Sequence, residues 1–383
     1  MSHAQRSGVF AFVIDNSLLL VAGTLIALIW ANVAHESYEH FAHGSIHFVV
    51  NDIGMVFFFA LAMKEISEAM LPGGPLASPR EAAVPLMAAA GGMIAPATLY
   101  ALQVNLEGRP DLAAGWAIPC ATDIAFSYMA ARLIFPRNHA AIPFLLLLAI
   151  ADDALGLLLL AIFYPSGPLS MINFAAFMIP AIGLALALRR MRVTNFWPYA
   201  VGAGGLSWLG LYFGGVHPAL ALVPIVPFMP HAKRDLGLFD ARELKLRDTM
   251  NQFEHWWRVP VQIVLFFFGL VNAGVMVSSV GAGTWIVLVS LLAGKPLGIL
   301  SFTYLSVKAG LRAPGGLTYM HAAVVGVAAA IGFTVALFFT TAAFPNGGAA
   351  LAEAKMGALL SFIAAPLAVI FGRAVGLRPH PKR

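Results

Sequence analysis

Two adjacent acidic residues, Asp152 and Asp153, lie in the middle of a long apolar stretch, LLLLAIADDALGLLLLAIF. A carboxylate at the centre of a membrane helix costs at least about 2.5–3.5 kcal/mol, so such residues are functional candidates. Carboxylate oxygens, with a hydroxyl such as that of Thr122, are hard ligands suited to a small cation. The pair can therefore hold a cation when ionised and protons when the cation leaves. The alternative is a structural pair, either neutral or salt-bridged.

Two further charges occur inside apolar stretches. Lys295 lies in LLAGKPLGIL and needs an anionic partner, which an aspartate of the pair could supply. Alternatively, Lys295 offsets the negative ends of broken half-helices while Asp123 offsets the positive ends. A lysine that reaches the membrane surface is a third possibility, which its distance from both ends of the stretch disfavours.

Other polar residues give weaker signals. His35, His40, His43 and His47 have spacings that could bind zinc, but a solvated loop or hairpin is favoured. Asp52 opens the second apolar stretch, and His217 is typical of a helix start. Glu254, His255 and Arg258 form either a pH-responsive cluster or an ordinary ion-pair network. We assign Asp52, Glu65, Glu254 and His255 an accessory role in pH response.

The composition shows which elements must position these residues. Of the 383 residues 60% are apolar and 11% charged, against ~25% charged in soluble proteins, which excludes a water-soluble globule. The single cysteine, Cys120, excludes an intrachain disulfide and a zinc ribbon. The net charge of +5 is scattered between apolar stretches, so it indicates topology and not nucleic-acid binding. No cleavable signal peptide is evident.

Cutting the sequence at Pro, Gly and charge clusters leaves twelve apolar stretches of about the ~20 residues that span a bilayer as a helix. They cover approximately 9–32, 52–71, 82–104, 113–134, 138–164, 168–189, 195–213, 216–230, 252–277, 281–307, 317–342 and 352–373. We therefore expect an all-α polytopic membrane protein with a single transporter domain over 1–383.

The basic residues predict the orientation of these spans. With both termini in the cytoplasm, most of the 23 lysines and arginines fall inside, including clusters at 189–192, 233–247 and 378–383. Arg109 and Lys355 fall outside, and Lys64 and Lys295 lie within apolar stretches. This distribution indicates an even number of spans.

Two spans contain helix-breaking residues. The fourth has Gly115 and Pro119 just before Thr122 and Asp123, and the eleventh has small residues around Gly326 and Gly332. Unwound helices at corresponding positions of two halves are typical of a secondary transporter's binding site. The repeat is inferred from this correspondence, because 82–164 and 281–373 share no strong sequence identity.

Five motifs in this order resemble the NhaA family of bacterial sodium/proton antiporters across nearly the whole chain. They are GWAIPCATDIAF (115–126), AIADDALG (149–156), GGVHPAL (214–220), AGKPLGI (293–299) and AIGFT (330–334). The resemblance implies twelve transmembrane helices, with inverted repeats and two broken, crossing helices. It also implies an ion-binding core at 82–164 and 281–373, and an interface part at 9–71 and 168–277.

The resemblance further implies a role for each motif residue. Asp153 is then the principal Na⁺ ligand, Asp152 a partner that pairs with Lys295, Thr122 an auxiliary oxygen, and Asp123 a dipole compensator. Asp152, Asp153 and Lys295 couple the proton, and no cofactor is needed. The implied protein is a homodimer in the inner membrane, not an enzyme, that exchanges cytoplasmic Na⁺ or Li⁺ for external protons, with net charge movement.

The sequence departs from the family pattern near the cytoplasmic side. It has ALAMKEISEAM where the family commonly has a Gly-Leu-Glu-Val/Ile-Lys-Arg-Glu run, Ala114 where an acid often stands, and Arg258 where histidine is common. The first external loop, 34–50, is short, although that loop contributes to the family dimer.

Three other classes of protein also fit parts of the pattern. An intramembrane aspartyl protease needs two buried aspartates, but on separate helices with a GxGD-like loop. A sodium-coupled organic-anion symporter is the main alternative, since it also uses broken helices. A passive channel fits less well, because buried titrating acids and a lysine suit binding and release.

Overall fold

The computed structural model describes residues 17–136, 139–231 and 248–377, and within these ranges the protein contains helices and no strands. Residues 9–16 of the first predicted span and the basic clusters at 233–247 and 378–383 lie outside the described residues. The α-helices, in chain order, are α1 Leu18–Val33, α2 His35–Ala42, α3 Ser45–Ala69, α4 Pro79–Leu106, α5 Ile124–Ile134, α6 Ala141–Phe163, α7 Met171–Arg190, α8 Gly204–Gly214, α9 Thr249–Asn272, α10 Ala282–Lys308, α11 Tyr319–Ala329, α12 Phe333–Ala343 and α13 Ala349–Ala374.

Six helices of the described residues are long and apolar enough to cross a membrane: α3, α4 from Ala82, α6, α7, α10 and α13. The pair α11 and α12 forms a seventh candidate, bent by 54° at a short break. In hydrocarbon only a helix satisfies all its own backbone hydrogen bonds, which explains these uninterrupted apolar runs. Helices α1 and α5 are shorter but equally apolar.

The prediction of a helix at 216–230 is wrong. This stretch forms turns and two short 3₁₀ segments, Pro218–Leu220 and Val226–Phe228. Four prolines occur between 218 and 230, and each removes a backbone donor and clashes with the preceding turn. Its residues are still largely buried, so it fills space within the bundle without forming an α-helix.

The second span also begins earlier than predicted. Helix α3 starts at Ser45 and passes through a π-helical segment at Val49–Gly54, so Asp52 lies inside the helix and does not open it.

The first external loop is a helix, where the sequence favoured a solvated loop or hairpin. Its Tyr38 side chain is buried and donates its hydroxyl to Val271 O at 2.9 Å, and it accepts from Gly274 N at 2.9 Å. These contacts anchor α2 to the end of α9. The described residues contain no group of three metal-type ligands, so the histidine spacing in this region does not assemble a zinc site.

Glycines allow α4 and α10 to pack with their backbones in contact. A Cβ on Gly298 would lie 2.0 Å from the Gly91 carbonyl oxygen, and one on Gly294 would lie 2.7 Å from Pro96 Cα. No side chain fits at either position without separating the two helices. This close approach brings Lys295 on α10 toward the interior of the bundle.

We predict that Gly298→Ala lowers the thermal stability of the detergent-solubilised protein, by at least the ~1–3 kcal/mol typical of overpacking. The matched control is Gly183→Ala in α7, where an added Cβ meets no atom within 4 Å. That control should melt at or above the wild-type temperature, since alanine favours a helix over glycine. Equal melting temperatures for Gly298→Ala and wild type would contradict this account of the packing.

Candidate functional site: an acidic cleft at two interrupted helices

The two interruptions predicted from the sequence are present, and they touch each other. The 3₁₀ helix Pro110–Cys120 ends in extended backbone at Ala121, and α5 begins three residues later. The second break separates α11 from α12. The Asp123 backbone N–H donates to Ile331 O at 2.7 Å, which joins the two breaks directly.

Asp123 lies at the beginning of two helices at once. Its side chain accepts from Phe126 N, at 3.4 Å, in the first turn of α5. It also accepts from Thr334 N, at 3.2 Å, and from the Thr334 hydroxyl in the first turn of α12. A carboxylate at the N-terminus of a helix satisfies free N–H groups and interacts favourably with the helix dipole. This geometry fits the dipole compensation predicted for Asp123.

Lys295 has both of the partners that the sequence left as alternatives. Its Nζ lies 3.2 Å from Asp152 Oδ2 and donates to the Cys120 carbonyl oxygen at 2.5 Å. Cys120 ends the 3₁₀ helix, so that carbonyl is at the negative end of a half-helix. The Lys295 side chain is 0% exposed, which excludes a lysine that reaches the membrane surface.

Asp152 and Thr122 are hydrogen-bonded neighbours. The Thr122 hydroxyl lies 2.6 Å from Asp152 Oδ2 and 3.2 Å from the Ala329 carbonyl oxygen. Asp152 Oδ1 is buried and has no hydrogen-bond partner among the described residues. The side chain of Asp153 is half-buried and takes part in no hydrogen bond or ion pair within the same part of the chain. Buried polar atoms are normally satisfied, so these free carboxylate oxygens mark a place for a ligand.

Asp152 and Asp153 line a narrow cleft. Thr122, Asp152 and Asp153 are the polar side chains with oxygen atoms among the residues that line it. The other lining residues are apolar or sulfur-containing: Phe58, Phe59, Ala62, Met93, Cys120, Ala121, Gly156, Leu157, Leu160, Val335, Phe338 and Phe339. The cleft therefore offers hard anionic oxygens in an otherwise apolar environment.

A family model described as Na⁺/H⁺ antiporter 1 matches residues 10–372 of the chain. The protein belongs to this family. Curated relatives named Na⁺/H⁺ antiporter NhaA include one from Desulfitobacterium hafniense, 46% identical over 96% of each chain. Another, from Geobacter sulfurreducens, is 44% identical and covers 95% of this chain and 97% of its own. With its apolar helices, this membership makes the protein a membrane protein.

A solved structure has a related fold. The sodium proton antiporter MjNhaP1 from Methanocaldococcus jannaschii at pH 8 superposes with a TM-score of 0.53, covering 94% of this chain and 91% of that one. The two sequences are 13% identical, so the similarity concerns the fold alone.

Glu254 takes part in an ion-pair network, one of the two alternatives that the sequence left open for Glu254, His255 and Arg258. Glu254 Oε2 lies 2.5 Å from Lys64 Nζ, and Lys64 also pairs with Glu68 at 2.5 Å. Glu65 is half-buried on the next position of α3, whereas His255 is exposed. The structure thus joins α3 to α9 through Lys64 and separates His255 from this ion-pair network.

Asp52 and His217 lie together elsewhere in the bundle. His217 Nδ1 is 4.0 Å from Asp52 Oδ1, and the Trp208 indole donates to the Asp52 carbonyl oxygen at 2.8 Å. His217 also accepts from Ala219 N at 3.4 Å, which fits the helix-start role predicted for it.

Sequence reasoning missed several groups of the site. Thr334 was noted as the end of a motif but was not assigned as a partner of Asp123. The carbonyl groups of Cys120 and Ala329 could not be found, since a backbone oxygen has no sequence signature. The Lys64–Glu68 pair could have been predicted from its i,i+4 spacing.

We predict that Lys295→Met destabilises the protein by the ~3–5 kcal/mol typical of a broken buried ion pair, because Asp152 would lose its compensating charge. The double variant Lys295→Met/Asp152→Asn should recover much of this loss. Thermal melting in detergent measures both. The matched control is Lys308→Met, an exposed lysine of the same helix, which should melt like wild type.

The pH dependence provides a second check on the same variants. Protonation neutralises an uncompensated Asp152, so the stability lost in Lys295→Met should shrink as the pH falls. If the single and double variants melted at the same temperature at every pH, the pair would have no role in stability.

Proposed function

We propose that this protein exchanges Na⁺, or Li⁺, for H⁺ across the bacterial cytoplasmic membrane. The names of its relatives state Na⁺/H⁺ antiport for those proteins. Cytoplasmic Na⁺ leaves the cell as external protons enter, by alternating access and without a cofactor. Asp153 is the main cation ligand, and Asp152 and Thr122 supply further oxygens.

The observation that carries this proposal is the set of free carboxylate oxygens in the cleft. Asp152 Oδ1 is buried without a partner among the described residues, and the half-buried Asp153 carboxylate lines the same cleft. Each can bind either a cation or a proton. Because the two ligands compete for the same oxygens, only one can occupy them at a time. Alternating occupation is the requirement for antiport.

Lys295 is the third group of the proposed proton coupling. Its ion pair with Asp152 satisfies Oδ2 when no cation is bound. A cation that draws Asp152 toward Asp153 weakens this pair. With Asp152, Asp153 and Lys295 coupled in this way, one Na⁺ exchanges for more than one proton, and the exchange moves net charge.

Asp123 and the Cys120 carbonyl have a different role in the proposal. Asp123 compensates the positive ends of α5 and α12, while Lys295 compensates the negative end at Cys120. Asp123 is not among the residues that line the cleft, and both of its oxygens accept hydrogen bonds from the helix starts. In this proposal Asp123 holds the breaks together and is not a cation ligand.

A sodium-coupled organic-anion symporter is the second candidate. It would need a cationic or donor-rich surface for the anion. The cleft side chains that carry oxygen are two carboxylates and one hydroxyl, and the nearby Lys295 is already paired. This arrangement repels an anion and favours the antiporter.

The predicted topology is part of the proposal, with twelve membrane segments, inverted repeats and both termini in the cytoplasm. Residues predicted at the outer side meet one another, as Arg109 pairs with Glu353 at 3.2 Å. Residues predicted at the inner side also meet, since the rings of His139 and His321 lie 4.5 Å apart. The eighth segment, 216–230, is then non-helical and enclosed by protein.

The division into an ion-binding core, 82–164 with 281–373, and an interface part, 9–71 with 168–277, completes the architecture. The interface part would form a homodimer, with α2 in place of a longer external loop. We further assign Asp52, Glu65, Glu254 and His255 to the pH response. For Glu254 this response would act through its ion pair with Lys64.

We predict that Asp153→Asn abolishes Na⁺/H⁺ exchange in a folded protein, because an amide neither attracts a cation by charge nor carries a proton. Asp152→Asn should do nearly as much. Everted vesicles with an imposed proton gradient measure the exchange as the collapse of that gradient on addition of Na⁺, Li⁺ or K⁺. Glu36→Gln, at an exposed position of α2, is the control and should behave as wild type. Normal exchange by Asp153→Asn would refute the site.

Direct competition predicts that the apparent affinity for Na⁺ falls as the pH drops, because protons occupy the same carboxylates. Unequal charge movement also predicts that transport responds to membrane potential. Both effects can be measured in proteoliposomes at several pH values, with and without a potassium diffusion potential. An affinity independent of pH would exclude competition, and electroneutral exchange would show that only one group cycles its proton.

A further inference from the structure

One aromatic side chain separates the acidic cleft from a second polar region of the protein. Phe338, on α12, lines the cleft and is 1% exposed. Its ring centroid also lies 4.9 Å from that of His217, which does not line the cleft. Phe338 is therefore in contact with two regions that have no shared lining residue.

The second region is a group of polar side chains, which we call the polar cluster: His47, Asn51, Asp52, His217 and Asn272. Asn51 Nδ2 lies 2.9 Å from His47 Nε2, and it donates to Asn272 Oδ1 at 3.1 Å. Asp52 follows Asn51 in the chain, and its Oδ1 lies 4.0 Å from His217 Nδ1. Asp52 and His217 are partly exposed, whereas Asn51 and Asn272 are buried.

The part of the cleft next to Phe338 contains no ligand for a cation. From Asp152 and Asp153 it follows α6 past Leu157 and Leu160, toward the end where Tyr164 contacts Phe339. Phe59 closes it from α3, with its ring edge against Phe338 at 4.9 Å. A cation that left the carboxylates in this direction would have to lose its oxygen ligands, and apolar constrictions of this kind block ions by excluding water.

We propose that Phe338 is a barrier residue of the transport cycle, which seals the cation cleft from the polar cluster until α12 moves. The proposal rests on the proposed function. Helix α12 is the second half of the interrupted span, and it is attached to the first break through Thr334 and Asp123. A change in the occupation of the neighbouring carboxylates can thus shift α12 and the Phe338 ring together. The polar cluster then receives the cation, with Asp52 as its anionic member.

Phe338 could have a packing role without being a barrier. A comparison with Phe268 distinguishes these two roles. Phe268 on α9 is 0% exposed, and its ring centroid lies 6.2 Å from that of Phe338, but it does not line the cleft. Truncation of either ring creates a cavity of similar size. Only truncation of Phe338 connects the cleft to the polar cluster.

The test is passive Na⁺ and H⁺ flux in proteoliposomes of wild type, Phe338→Ala and Phe268→Ala. Phe338→Ala should let Na⁺ enter without the equivalent H⁺ efflux, with an uncoupled leak roughly tenfold above wild type. Phe268→Ala should remain coupled. Tight coupling in Phe338→Ala, or an equal leak in both variants, would overturn the proposal. If the alanine variants do not fold, Phe338→Leu and Phe268→Leu give the same comparison with a smaller leak.

Cys120 offers an independent readout, because it lines the cleft and is the single cysteine of the chain. A small, membrane-impermeant methanethiosulfonate cation is applied separately to right-side-out and everted vesicles. Phe338→Ala should gain modification of Cys120 from one face, relative to wild type and Phe268→Ala. No gain from either face would show that Phe338 does not seal the cleft.

The barrier role of Phe338 can be refuted without refuting the proposed function. If the wild-type protein exchanges Na⁺ for H⁺ and Phe338→Ala remains tightly coupled and unmodified, only the barrier is wrong. If the wild-type protein does not exchange Na⁺ for H⁺, the function itself is wrong.

Discussion

The structure depends on one constraint: a helix that ends inside the hydrocarbon leaves backbone groups that nothing in the lipid can satisfy. This protein interrupts two spans and must compensate the free ends within the protein. Asp123 accepts from the first turns of α5 and α12, and Lys295 donates to the carbonyl group that ends the 3₁₀ helix. The two buried charges near the breaks thus both hydrogen-bond to backbone groups at the interrupted helix ends.

The contact of Lys295 with the Cys120 carbonyl group also determines which oxygens of Asp152 and Asp153 have a partner. Lys295 needs an anion in its buried position, and Asp152 Oδ2 supplies it. The second oxygen of Asp152 and the whole carboxylate of Asp153 are then left over, since no further cation is placed against them among the described residues. A partly compensated pair of acids in an apolar environment is costly, and in the proposed function a bound Na⁺ or a proton relieves that cost. The ion pair of Lys295 with Asp152 therefore leaves carboxylate oxygens that a ligand can bind.

Close helix packing makes this arrangement possible. Glycines at the contact of α4 with α10 allow Lys295 to reach the first break, and Gly332 lets the two breaks approach. A Cβ on Gly332 would lie 3.4 Å from the Ala121 carbonyl oxygen and 3.0 Å from Ala336 Cβ. Away from the breaks, the aromatic rings around Phe338 exclude polar contacts, so the acids are enclosed by apolar side chains. The charged side chains of Asp152 and Asp153 thus lie within a few helical turns of apolar rings that exclude water.

The sequence by itself determined the membrane environment, most of the long spans, the positions of the two interruptions and the charges that lie near them. These features follow from local composition, because apolar runs, prolines and acids act through neighbouring residues. Only the tertiary structure decided that Lys295 contacts both Asp152 and Cys120, that Glu254 pairs with Lys64, and that Thr334 holds Asp123. It also decided that 216–230 is not a helix and that the first external loop is one. These outcomes depend on contacts between residues far apart in the chain, and on backbone oxygens, which leave no pattern in the sequence.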